Sequence, residues 1–254
     1  MNSKFLYYVL IKWRLNPMQK ISFIILITFL FNTSSLMAQS PAPVNKSEKD
    51  QVREIVRHVI ESNDEFVKRL PPDYFNQLIH GQKPMATMVT CADSRLHTHA
   101  LDIHPDGDLF LVRNIGNQVS TAEGSIEYGV RHLHTPVLFI IGHSSCGAVE
   151  AAMSKPTHLE PSIWRELDTI KVAGNKSDDH AQVKESVESN VNHQVSTALK
   201  KYDKEVKAGH LTIIGGVYDF RNDYSQGSGR LVLINVNGET NLAEIKKLPI
   251  VNFK

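Results

Sequence analysis

The sequence predicts an α/β fold in which a mostly parallel central sheet of four strands carries one antiparallel edge strand and is flanked by helices. Three observations predict it. Short apolar runs alternate with longer segments of helical periodicity, the order that generates crossover connections and a parallel sheet. The run Pro136–His143 (PVLFIIGH) has no polar residue before its end, as a strand covered on both faces requires. The last two apolar runs are separated by Gly227-Ser228-Gly229, which marks a hairpin and hence an antiparallel edge.

The chain opens with a segment foreign to this fold. Ile21–Phe31 (ISFIILITFLF) is apolar apart from Ser22 and Thr28, Lys20 precedes it, and no acidic residue occurs before Glu48. A basic start, an apolar stretch of about 7–15 residues and small residues at a cleavage point describe a secretory signal peptide. The apolar run is too short for a membrane span, which needs about 20 residues. Residues 1–38 therefore read as a leader cut after Ala38, and residues 39–47 as a flexible linker. Met18 opens a leader of more ordinary length, so residues 1–17 read as an upstream extension from a misplaced start. Neither cysteine lies near the cut, which excludes a lipid-modified cysteine anchor. The mature protein is expected to be periplasmic or secreted and free of the membrane.

Residues 48–254 read as one α/β domain. Val52, Ile55, Val56, Val59 and Ile60 share one face of a helix over Glu48–Leu70, which Pro71-Pro72 stops. A short segment over Tyr74–Ile79 leads to Gly81, then to strands at Met85–Cys91 and Leu109–Asn114. Ser120-Thr121-Ala122-Glu123 has the pattern of a capping box and opens a helix to Leu133. After Pro136–His143, helices are expected from Gly147 and over Pro161–Val172, with a polar break at Gly174–Asp179. Lys184–Lys207 reads as one long amphipathic helix ended by Gly209, and His210–Phe220 and Arg230–Asn237 as the last two strands. Phe66, Phe75 and Tyr128 read as core or interface aromatics, and Lys200, Lys201, Lys204 and Lys207 as a solvated helix face.

Charge and cysteine content exclude several classes. With 28 Lys+Arg against 27 Asp+Glu the formal net charge is +1, which provides no basic field for nucleic acid. The leader holds four cations, Lys4, Lys12, Arg14 and Lys20, and no anion, so its removal takes the net charge from +1 to −3. Two cysteines rule out a disulfide-rich scaffold and a four-cysteine zinc ribbon.

Two polar clusters stand at carboxyl ends of expected strands, where open α/β sheets place their sites. One is Cys91-Ala92-Asp93-Ser94-Arg95, whose alternation in an extended backbone sends Cys91, Asp93 and Arg95 to one side. The other is Gly142-His143-Ser144-Ser145-Cys146-Gly147, where a His and a Cys three apart straddle a strand-to-helix turn. Two thiolates and one imidazole make a soft set suited to zinc, with a tetrahedral position left open or filled by Asp93. A Cys91–Cys146 disulfide is the alternative in a secreted protein, but it needs none of the neighbouring His, Asp and Arg.

CADSR (Cys91–Arg95) followed by GHSSCGAV (Gly142–Val149) resembles the β-class carbonic anhydrases. FLVRNIGN, GSIEYGVRHL, ESVESNVNHQVSTAL and GGVYDF are similar to the same family, so the resemblance runs over Glu48–Val236. It implies one zinc ion per subunit on Cys91, His143 and Cys146, an Asp93–Arg95 dyad, and a substrate-binding Gln82. The implied reaction is reversible hydration of carbon dioxide to bicarbonate and a proton, by attack of zinc-bound hydroxide. Asp93, held by Arg95, would orient that hydroxide; released, it would become the fourth zinc ligand of a closed state. Two thiolates cancel the charge of zinc where three histidines do not, so an alkaline activity profile is expected. The resemblance also implies a homodimer or homotetramer. One subset of the family has an inhibitory bicarbonate pocket built partly by a Trp three positions before the first Cys. Met88 stands there, which argues against the pocket although Arg113 is present.

Other readings are weaker. A hydrolase of carbonyl sulfide or carbon disulfide would use the same fold, and a catalytically silent zinc protein would have no need of Asp93, Arg95 and Gln82. His97, His99 and His104 read as surface or hydrogen-bonding groups, not a second metal site. Gly142–Cys146 lacks the last glycine of a nucleophile elbow, which excludes a serine hydrolase of that type.

Overall fold

The computed structural model describes residues 47–252, which fall into two units divided between Pro71 and Pro72. The predicted leader and nearly all of the linker lie outside the described residues. The first unit is helix α1 (Glu48–Arg69). Ser47 caps it by accepting from the Asp50 N–H at 3.3 Å, and Lys68 and Arg69 in the last turn complement its dipole. Leu70 is extended (φ −91°, ψ 151°), as a residue before proline must be, and the helix stops there. None of its residues is buried, and Val52, Ile55, Val56, Val59 and Ile60 are each more than half exposed.

The second unit is built on strands β1 (Ala86–Cys91), β2 (Leu109–Asn114), β3 (Val137–His143), β4 (Thr212–Asp219) and β5 (Arg230–Val236), in the order β2-β1-β3-β4-β5. The first four are parallel and β5 runs antiparallel to β4, as predicted. From β1 the chain moves outward to β2; it then returns past β1 to β3 and continues the other way. The strand order therefore reverses between β1 and β3, and a crevice opens beyond their carboxyl ends, Cys91 and His143.

Helices α2 (Glu123–Glu127), α3 (Gly147–Ser154), α4 (Pro161–Leu167), α5 (His180–Lys201), α6 (Asp203–Lys207) and α7 (Leu242–Ile245) complete it. The long α5 packs across β3 and β4 through buried Val183, Val187, Val191, Val195 and Ala198. Its approach is close because Gly142 and Gly215 face it. A Cβ on Gly142 would meet Val191 at 2.8 Å, and one on Gly215 would meet Val191 and Val195 at 2.9 Å. Overfilling such a contact costs about 1–3 kcal/mol.

Several local expectations change. The capping box does not form: Ser120 already lies in a 3₁₀ turn (Ser120–Ala122), whereas a capping residue must be extended. Asn114 Nδ2 donates to Thr121 Oγ1 instead, at 3.0 Å. The helix beyond is composite, α2 passing into a π turn over Tyr128–His132 closed by the Leu133 N–H on the Tyr128 carbonyl. Helix α5 starts four residues earlier than predicted, because Asp179 accepts from the Ala181 and Gln182 N–H groups. It breaks at Tyr202 (φ −108°, ψ 27°), whose fully buried ring turns inward beneath the Arg131 guanidinium. Lys201 is no solvated cation but bridges Glu123 and Glu127 at 2.9 and 3.1 Å. The helix from Pro161 ends at Leu167 rather than Val172. Phe66, Phe75 and Tyr128 are exposed and form no part of the core, so of the two readings the interface one is left.

Candidate metal centre

Cys91 ends β1, His143 ends β3, and Cys146 occupies the N-cap position of α3; all three are buried. Their ligand atoms lie within 4.8 Å of one another, the one such group of three among the described residues. The sulfurs are 4.0 Å apart and the thiols are free. A disulfide needs about 2.05 Å; two thiolates on one tetrahedral zinc sit about 3.8 Å apart, from Zn–S distances of about 2.3 Å. His143 Nδ1 is 3.0 Å from the Ser144 carbonyl, an acceptor only, so Nδ1 carries the proton and Nε2 keeps a free lone pair. Nε2 is buried and has no hydrogen-bond partner. An orphaned buried acceptor costs about 1–3 kcal/mol. Facing two thiols, it fits a metal ligand.

The turn between His143 and Cys146 is fixed from several sides. Ser145 takes a left-handed conformation (φ 53°). The Ser144 N–H donates to the Tyr218 carbonyl, and Ser144 Oγ accepts from the Phe220 N–H, which ties the turn to the end of β4. Backbone donors then meet both sulfurs: the Ala148 and Val149 N–H groups reach Cys146, and the Gly116 N–H reaches Cys91. The two thiols also share a hydrogen bond. The bond to Cys146 pulls Cys91 down to about 4, and the same bond together with burial drives Cys146 up.

Asp93 and Arg95 meet, but not by alternation along an extended strand. The chain turns after Cys91, with the Leu96 N–H on the Asp93 carbonyl at 3.1 Å. Asp93 Oδ1 accepts from the Arg95 backbone N–H and Nε, both at 2.9 Å, and Oδ2 accepts from Nη2 at 2.7 Å. The Arg95 side chain is the main reason the Asp93 carboxyl lies well below the usual carboxylate range. Nη2 also reaches the Ser145 carbonyl at 2.9 Å, so Arg95 links the two ligand-bearing turns. Asp93 Oδ2 stands 3.8 Å from His143 Nε2.

Arg113 donates to the carbonyls of Cys91, Asp93 and Leu96 at 2.7–3.3 Å, stapling the first turn, while Met88 is buried against Leu96 and Ile141. Phe220 went unnoticed in the sequence. Its ring packs against His143 with centroids 5.6 Å apart and lies 5.3 Å from the Arg95 guanidinium. Its signals were its position just past the carboxyl end of a strand and its place in the GGVYDF segment. Gln82 is not brought to this centre. It is exposed and lines a separate surface cavity of about 530 Å³ with Gln77, His80, Lys83 and Asp106, among others, and without any of the three ligands. His97 and His99 stack on each other in the open, 5.2 Å apart.

Comparison with known proteins agrees with this geometry. A family profile described as carbonic anhydrase matches residues 86–225. Carbonic anhydrase 2 of Mycobacterium tuberculosis is 30% identical over 174 residues, 62% of this chain and 84% of its own. The carbonic anhydrase of Emericella nidulans is 30% identical over 214 residues, 75% of this chain and 88% of its own. Among solved structures, a tetrameric β-carbonic anhydrase from Sordaria macrospora superposes with a TM-score of 0.63 at 23% identity, covering 72% of this chain and 98% of that one. The profile spans more than half of the chain and includes both ligand-bearing turns, and the fold agrees with it independently: the chain belongs to the β-class carbonic anhydrases, which use zinc.

Proposed function

We propose that this protein catalyses the reversible hydration of carbon dioxide at the Cys91–His143–Cys146 centre, with Asp93 and Arg95 as its orienting dyad. One observation carries the reading: a clamped carboxylate oxygen, Asp93 Oδ2, lies 3.8 Å from the unpartnered ligand atom of His143. Zinc held by the three ligands supplies a Lewis acid that lowers the pKa of water toward neutrality. The remaining work falls to the chain's own residues. Asp93 stays ionised across the physiological range, so it offers acceptors and no donor. It accepts the proton of the attacking oxygen in a hydrogen bond and so turns that oxygen's lone pair toward carbon dioxide. Arg95 holds both carboxylate oxygens, and a closed state with Asp93 as fourth ligand requires giving up those bonds.

Gln82, read as a substrate-binding donor, lies outside the centre of its own chain. Its role therefore calls for an oligomer in which the segment around Gln82 of one chain meets the centre of another. Stopped-flow hydration of carbon dioxide by the zinc-loaded protein tests the main reading, with turnover expected to rise from neutral to alkaline pH. No turnover at any pH, with one zinc per chain, refutes it. Light scattering on the same sample is expected to give a dimer or larger; an active monomer would remove the role of Gln82.

We propose further that residues 1–38 direct export. Protein recovered from outside the cytoplasm is then expected to begin at Gln39. Active protein retaining Met1 inside the cell would count against export.

A further inference from the structure

Helix α5 carries three polar residues inside its buried face. Ser186, Asn190 and Gln194 are spaced four apart, at most 1% exposed, and continuous with Val187, Val191 and Val195. Apolar residues would fill such a ridge at no desolvation cost, so the polar atoms must answer to specific partners. Each answers to the backbone of a neighbouring loop. Ser186 Oγ accepts from the Ala173 N–H at 3.1 Å. Asn190 Nδ2 donates to the Gly116 carbonyl at 2.9 Å, and Gln194 Oε1 accepts from the Val119 N–H at 2.8 Å. Gln194 Nε2 also meets Gln118 Oε1 at 2.7 Å, and Gln118 Nε2 donates to the same Gly116 carbonyl at 3.1 Å.

The loop held in this way follows β2 directly and flanks Cys91: Asn114 pairs with Cys91 and its carbonyl accepts from the Ala92 N–H at 2.8 Å, and Ile115 packs against the cluster that contains Cys91 and Cys146. The Gly116 N–H is the backbone donor this places toward the Cys91 sulfur. The loop's backbone is not self-supporting. Gly116 and Asn117 are consecutive left-handed residues (φ 75° and 50°), and a side chain at Gly116 would meet Ile170 at 2.7 Å. Glycine is obligatory there, and glycine is also the residue most free to turn away. Helix α3 aims amides at Cys146 by its own geometry. No helix does this for Cys91; the loop is anchored from α5.

We propose that Asn190, supported by Gln194, is a positioning residue for the metal centre: by holding the Gly116 carbonyl it keeps the Gly116 N–H on the Cys91 thiolate. An N–H on a thiolate draws charge from sulfur, which moderates its donation to the metal and fixes its direction. The proposal rests on a metal at the three ligands, and the experiment separates the two claims.

The test uses the full-length protein loaded with cobalt(II) or with zinc. Wild-type protein is expected to take up one cobalt per chain with a sulfur-to-cobalt charge-transfer band; lack of that band would count against the metal assignment instead. In Asn190→Ala the band moves to longer wavelength, and zinc release to excess chelator speeds up by about tenfold or more. Ser186→Ala is the control. It removes a comparable buried hydrogen bond from the same ridge without touching the Gly116 loop, so its band and release rate stay at wild type even if it melts earlier. A band unmoved in Asn190→Ala, or moved equally in Ser186→Ala, overturns the proposal. Should Asn190→Ala not fold, Gln194→Met takes its place: a smaller shift in the same direction is expected, and an unmoved band overturns it.

Discussion

Cys146→Ser is expected to bind far less than one zinc per chain and to lose carbon dioxide hydration by at least about 10³-fold. The change exchanges a single atom, sulfur for oxygen, yet it removes a thiolate from a set of three ligands. A serine hydroxyl stays protonated near neutral pH and is a poor partner for zinc. The Ala148 and Val149 N–H groups, arranged to meet a charged sulfur, would meet a neutral oxygen. Stability should follow the metal. Anything that binds only the folded state stabilises it by RT ln(1 + [L]/Kd), about 4.1 kcal/mol at a thousandfold excess over Kd. Chelation should therefore lower the melting temperature of the wild type and leave that of Cys146→Ser nearly unchanged. A variant with full zinc and full turnover would remove Cys146 from the ligand set.

The Cys91–His143–Cys146 group was legible in the sequence because its chemistry is scarce there. The chain has only two cysteines, and both fall at ends of apolar runs beside polar clusters. The strands were legible for a related reason, since a run such as Val137–His143 is apolar without alternation only if both faces are covered. Features set by long-range packing were not legible. Asp93 and Arg95 were expected to meet by alternation, but a turn closed by the Asp93 carbonyl brings them together. The apparent capping box failed because Ser120 lies inside a 3₁₀ turn instead of in the extended conformation a cap needs. Asn190 and Gln194 fall on the apolar face of an amphipathic helix, but the helix's own sequence does not name their partners. Only the loops seated on that face reveal what they bond. The surroundings of Gln82 within one chain contain none of the three candidate ligands, so its role is not readable from a single chain.

Asp93→Asn is expected to keep one zinc per chain and to lose hydration activity by about 10²–10⁴-fold, the usual contribution of a positioned proton-handling group. Zinc is retained because Asp93 is not among the three mutually close ligand atoms. Turnover falls because the amide has no acceptable orientation. With its NH₂ at the Oδ2 position it faces Arg95 Nη2, donor against donor, and turns a donor toward the centre. With its NH₂ at the Oδ1 position it faces two donors, the Arg95 backbone N–H and Nε. Either way the ionised acceptor beside His143 is gone. Arg95→Lys should do less harm, because Asp93 remains an acceptor. A single ammonium, however, cannot span both carboxylate oxygens and the Ser145 carbonyl, so Asp93 is held less firmly. The informative comparison is zinc content against turnover across the two variants. Wild-type turnover in Asp93→Asn would remove Asp93 from the reaction. Zinc lost in step with turnover would make it a structural support of the ligands, since loss of an orienting acceptor lowers the rate without loosening the metal.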